Sequence, residues 1–189
     1  MLSVAAAVVG VAVVTQFLGT GNSVRMEGPD GHEYDMQNLP NKEEAVKLMA
    51  KIRANLTKLR DTYAEEPALM NDPPVARFVA RYQPDVFSEN SMSSADTSYS
   101  ENKGQRIVVC LRDKTKKPEY PLIDINTIMF VMLHEMAHLM TETIGHTSEF
   151  WGNFKRILHD AVKVGIYTPV NYSRQPTPYC GMTISDSPL

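Results

Sequence analysis

"LHEMAHLMTETIGHTSEFW", residues 133–151, holds three of the chain's five histidines, His134, His138 and His146, with Glu135 beside the first. Residues i and i+4 of an α-helix are turned by only about 40° and displaced by about 6 Å, so His134 and His138 project from one face and can close on one metal ion. Glu135 lies about 100° round from His134, near enough to reach a water on that ion without being a ligand. A carboxylate so placed takes a proton as the water attacks a carbonyl and passes it to the leaving amine. Catalytic zinc takes three protein ligands and keeps one position open, so a third ligand is needed. His146 is the expected one, because Gly145 ends the helix and lets the chain double back toward the two histidines. Glu142 continues the i+4 series but sits about 12 Å up the axis from His134. Glu149 reads as a first-turn acid favoured by a helix dipole. Imidazole donors favour Zn2+ among the available ions. The competing account, that these are core residues satisfied by backbone groups, leaves Glu135 in an apolar helix, where an uncompensated carboxylate costs several kcal/mol.

Working outward, "INTIMFVMLHEMAHLMTE" is apolar on nearly every face, which marks a buried helix capped by Asp124 or Asn126. Beyond Gly145, Phe150, Trp151, Phe154, Ile157, Leu158, Ala161 and Val162 line one side of another helix, with His159 on its polar side. Upstream, "RIVVCLR" at 106–112 is the clearest strand, preceded by a Ser-rich loop with a weak strand near 97–100. Asn41 and Glu44 resemble a capping box that opens an amphipathic helix over 42–63, and Pro73–Pro74 opens a shorter helix that stops before Pro84. The tail after Gly165 is proline-rich and expected as extended loop.

With 189 residues and a formal charge of −3, the chain is long enough for one domain with a real core, and nothing in its charge points to nucleic acid as a partner. The basic run at 112–117 reads as a solvated loop. Oligomeric state leaves no mark in the sequence. The first eighteen residues lack a charged side chain and would reach about 27 Å as a helix. They are expected to be a single-pass N-terminal membrane anchor, the alternative being a signal segment cleaved on secretion. The expected organisation is therefore an anchor over 1–21, a polar linker over 22–40 and a catalytic domain over 41–189. Cys110 and Cys180 are open to two readings, one disulfide or two buried thiols.

HEMAH followed by "GHTSEFW", with an aromatic residue, Phe150, four positions after His146, resembles the SprT-like and WLM-type minimal zinc metalloproteases. "NKGQRIVVCLR" is similar to the strand that borders the substrate cleft in those enzymes. The resemblance spans roughly 102–164. It implies an α+β, zincin-like fold with an HExxH active helix, packed helices and a small sheet. It implies zinc on His134, His138 and His146, Glu135 as general base, and protein or peptide substrates. The alternative is a metal-binding zincin fold that does not hydrolyse and serves as an adaptor held at a membrane.

Overall fold

The computed structural model describes residues 22–84 and 86–189. Twelve elements follow one another among them: β1 (Ser23–Glu27), β2 (Glu33–Gln37), α1 (Lys42–Ala64), α2 (Pro67–Met70), α3 (Pro73–Arg81), β3 (Phe87–Glu89), β4 (Tyr99–Glu101), β5 (Arg106–Val109), α4 (Ile125–Met140), α5 (Ser148–Val164), β6 (Thr177–Tyr179) and β7 (Met182–Ile184). The fold is α+β. Five strands form one sheet in the order β1-β2-β3-β5-β4, with parallel pairing at β2–β3 and β3–β5 and antiparallel pairing at both edges. Helix α1 packs on β2 and β3, while α3 and α5 flank α4.

The alternation of the strands decides which face is covered. Tyr34, Met36, Ile107 and Val109 enter the core with Leu56, Phe78, Leu133 and Phe154, whereas Arg25, Asp35 and Arg106 face out. Helix α4 is apolar all round because it is enclosed: Met129, Met132, Leu133, Met136, Ala137 and Leu139 are all buried. Asp124 opens it, its side chain accepting the Thr127 N–H at 3.1 Å.

One buried ion pair ties the sheet together. Arg112 Nε donates to Glu89 Oε1 at 2.5 Å, and Glu89 Oε2 accepts the Gln37 N–H at 2.7 Å. Burial lifts the Glu89 carboxyl above the usual carboxylate range, against the pull of Arg112. Arg112 Nη1 also donates to the Asn41 side chain. Asn41 precedes α1 as expected, but its side chain makes no cap hydrogen bond. The guanidinium has taken the oxygen that a capping box would use.

Four expectations are corrected. Residues 23–37 are the β1–β2 hairpin rather than part of a linker, held to the sheet by pairing of Asp35 with Ser88. The strand expected over 106–112 stops at Val109, and Arg112 contributes an isolated bridge to Leu122. The tail is not all extended loop: it carries the hairpin β6–β7, and Cys180 at its turn is disulfide-bonded to Cys110. Membrane association through a single-pass anchor is not supported: among the described residues no helix is long and apolar enough to cross a membrane, and the 1–21 stretch itself lies outside them.

Candidate metal centre

His134 and His138 project from one face of α4, and the chain brings His146 to meet them. The ring centroids are 4.9 Å apart for His134–His138, 4.9 Å for His134–His146 and 5.2 Å for His138–His146. One ligating atom from each lies within 4.8 Å of the others, and the Nε2 atoms of His134 and His146 are 2.9 Å apart. Two nitrogens on a tetrahedral zinc, each at about 2.1 Å, stand about 3.4 Å apart. The triad brackets that spacing, so the donor set fits a zinc ion after shifts of about an ångström.

The protonation states favour ligation. Burial drives the His138 imidazole down to about 4, and burial likewise lowers His146, so both rings are neutral near pH 7 and offer lone pairs. His134 Nδ1 lies 3.2 Å from Glu135 Oε1. An ionised carboxylate only accepts, so this contact places the proton on Nδ1 and leaves Nε2 free to face the other histidines.

Glu135 is buried yet not buried in apolar surroundings. Its Oε1 faces His134, and its Oε2 accepts the backbone N–H of Ser100 at 3.2 Å. Ser100 lies in β4, the edge of the five-stranded sheet. The edge beside the site is thus β4, not the 106–112 strand that the sequence suggested, because β5 is enclosed between β3 and β4.

The 141–147 connection has a structure of its own. Helix α4 ends at Met140, five residues before Gly145, and Thr141 already has extended geometry, with its hydroxyl bonded to Ala137 O at 2.7 Å. Gly145 does not end the helix. At φ +84° it supplies the left-handed turn that swings His146 back. Glu149 fastens the loop: its carboxylate accepts the N–H groups of Glu142 (3.0 Å) and Thr143 (3.2 Å) and the Thr143 hydroxyl (2.9 Å). The Glu142 N–H and the Thr143 groups hold the Glu149 carboxyl below the usual range. Glu149 and Glu142 also take the two ends of the Arg77 guanidinium, so neither weighed rival joins the cluster.

Phe150 is the packing centre of the site. It is fully buried, with ring centroids 5.0, 4.4 and 4.7 Å from His134, His138 and His146. At the far end of α4, Arg77 Nε donates to Met140 O and Arg81 Nη1 to Leu139 O, neutralising carbonyls that the helix leaves unpaired. Sequence reasoning missed Ser100, Arg77 and Arg81. Each acts across more than thirty positions of chain, and no local pattern marks such a contact.

Three tail tyrosines lie near α4 or β5 in sequence-distant contacts: Tyr167 and Tyr172 pack on Phe130 at 6.1 and 4.6 Å. Tyr179 is spent elsewhere, its hydroxyl lying 2.5 Å from Ser98 Oγ and 3.1 Å from Cys110 O. His159 is exposed, as its helical position indicated.

Two histidines on one face of a helix, a third on the following loop and an adjacent acid make a donor set that could hold a metal ion. Residues 99–175 match the model of the WLM domain. The uncharacterized protein R325 of Acanthamoeba polyphaga mimivirus is 32% identical over 158 residues, covering 82% of this chain and 79% of that protein. The uncharacterized protein 136R of Invertebrate iridescent virus 6 is 35% identical over 82 residues, or 43% of this chain and 45% of that one. The crystal structure of Wss1 from Saccharomyces cerevisiae is similar at a TM-score of 0.49 and 20% identity, over 69% of this chain and 90% of that one. The chain belongs to the WLM domain family.

Proposed function

We propose that the protein is a zinc-dependent metallopeptidase that hydrolyses peptide bonds. The observation that carries this is the convergence of His134, His138 and His146 to within 4.8 Å, with Glu135 alongside. His134, His138 and His146 would hold the zinc. When bound, the ion supplies Lewis acidity toward a carbonyl oxygen and makes water acidic enough to deprotonate near neutral pH.

The chain's own groups do the rest. Glu135 receives the water's proton on a carboxylate oxygen and delivers it to the leaving amine, acting as general base and then general acid. Its two oxygens are held from opposite sides by His134 Nδ1 and the Ser100 N–H, which fixes its direction before substrate arrives. Strand β4, as a sheet edge beside Glu135, suits an extended peptide added as a further strand. Substrate recognition through main-chain hydrogen bonds favours unfolded or flexible protein segments. Phe150 closes the space beneath the histidines and keeps water from their inner faces.

The test is zinc content of the full chain for wild type and His146→Ala, with casein digestion by wild type and Glu135→Gln. One zinc per chain, weakened by the His146 change, and digestion abolished by the Glu135 change are expected. Bound zinc with equal digestion by wild type and Glu135→Gln would leave a metal-binding domain without hydrolytic activity.

A further inference from the structure

The β4–β5 hairpin, which presents Ser100 to Glu135, is pinned at both ends. At its turn, Gly104 has φ +100°, and a Cβ there would lie 2.4 Å from Arg81 O, so only glycine lets the turn seat on the end of α3. At its open end, Ser98 and Cys110 are joined by a hydrogen bond, and Tyr179 of the C-terminal hairpin bonds to both.

Three hydrogen bonds close a ring there. The Cys110 N–H donates to Ser98 Oγ at 2.9 Å, and the Tyr179 hydroxyl donates to Cys110 O at 3.1 Å. With the tyrosine proton thus placed, the 2.5 Å contact between Ser98 Oγ and Tyr179 Oη needs the serine as donor. Every proton in the ring then has one direction, and every buried polar atom in it has a partner. Tyr179 is 1% exposed and Ser98 is 5% exposed, so water does not compete. The residue after Tyr179, Cys180, is covalently joined to the same Cys110. Two consecutive tail residues therefore grip one residue at the end of β5. They do so from a tight turn in which both Cys180 (φ +50°) and Gly181 (φ +87°) are left-handed, as a two-residue type I′ hairpin requires.

We propose that Tyr179 is a positioning residue for Glu135. It fixes Ser98 at the entrance to β4. Two residues on, the Ser100 N–H then meets Glu135 Oε2 with one geometry rather than several, and the disulfide keeps the tyrosine seated. The Tyr179 hydroxyl bonds to Ser98 and Cys110 and acts on Glu135 only through them. Its effect on turnover rests on the hydrolase reading above, whereas its effect on β4 does not.

The experiment compares full-length wild type, Tyr179→Phe and Ser98→Ala by hydrogen exchange at the Ser100 amide in metal-free protein, and by casein turnover at saturating and limiting casein after zinc loading. Phenylalanine keeps the ring and removes only the hydroxyl, and Ser98→Ala breaks the same ring from its other side. Ser100 exchange should accelerate about tenfold or more in both variants while amides in the middle of α5 keep wild-type rates. Casein kcat should fall about tenfold with KM within about twofold, and the double variant should be no slower than the slower single one. Unchanged Ser100 exchange in both folded variants overturns the proposal. So does acceleration spread evenly over α5, which would make Tyr179 a general stabiliser, and so does faster exchange with unaltered kcat. If wild type digests casein no faster than Glu135→Gln, the hydrolase reading falls, and Ser100 exchange alone decides whether the ring positions β4.

Discussion

Replacing Phe150 by alanine removes a side chain that packs on all three histidine rings, with centroid distances of 4.4 to 5.0 Å. A fully buried phenylalanine cut back to alanine costs about 3–5 kcal/mol, the transfer of the ring plus the cavity it leaves. At about 2–4 °C of Tm per kcal/mol for a chain of this size, the metal-free protein should melt about 6–20 °C lower. Leucine, which refills most of the volume, should recover more than half of that loss. Zinc adds a second effect. Outer partners that orient metal ligands are typically worth about 10–100-fold in affinity. The zinc-induced rise in Tm should therefore be smaller in Phe150→Ala, by about 1.4–2.8 kcal/mol of linkage at saturating metal. The assay is thermal unfolding of wild type, Phe150→Leu and Phe150→Ala in chelator and in excess zinc. A fall under 3 °C in chelator would refute the packing argument. A zinc-induced shift equal to that of wild type would refute the claim that Phe150 orients the ligands.

Arg112→Met leaves the Glu89 carboxylate buried without its charge partner, at a cost of about 3–5 kcal/mol at neutral pH. The Glu89 carboxyl is already raised, and in the variant it rises further. A folded-state pKa above the unfolded one gives stability that is full below the unfolded value and lost as pH rises through the folded value. Urea midpoints of the variant should therefore climb as pH drops from 7 toward 4.5, and a flat profile would disprove this. Glu149→Gln should weaken zinc binding about tenfold by freeing the 141–147 loop, measured by competition with a chelator, while His138→Ala should weaken it further. Unchanged zinc affinity in Glu149→Gln would show the loop to be held without it. The double replacement Cys110→Ser with Cys180→Ser opens a 70-residue loop and should cost about 4 kcal/mol. Chemical denaturation checks this, and a midpoint equal to that of wild type would exclude the cross-link as a stabiliser.

The histidine-bearing helix was legible because its information is local. The His134–His138 spacing, the apolar residues around it and the aromatic at 150 all lie within a few turns of one another, so helix geometry alone brings them together. His146 was legible for a related reason, since a glycine beside it permits the return turn, although α4 stops at Met140 and the turn belongs to a loop tied down by Glu149. The β1–β2 hairpin was not legible. Its strands are short, polar on one face and separated by "GPDGH", and what joins them to the sheet is the parallel pairing of β2 to β3, some fifty residues on. The Cys110–Cys180 pairing was left open because two lone cysteines carry no partner information until the tail's path is known. The edge role of β4 escaped notice because three residues of weak strand character in a Ser-rich stretch become an edge only once β5 is seen beside β3.

The Gln37 N–H bonded to Glu89 joins residues 52 positions apart, and the parallel β2–β3 pairing that it supports spans the whole of α1, α2 and α3. Such a pairing must wait for the three helices between them to compact, since closing so long a loop is entropically unfavourable until other contacts offset it. The β4–β5 hairpin and the α4–α5 pair, by contrast, close over short distances along the chain. The order of assembly that this imposes has the histidine-bearing half gaining its native contacts early and the N-terminal strands docking last, so that slow folding, where it occurs, belongs to the frame and not to the centre it surrounds.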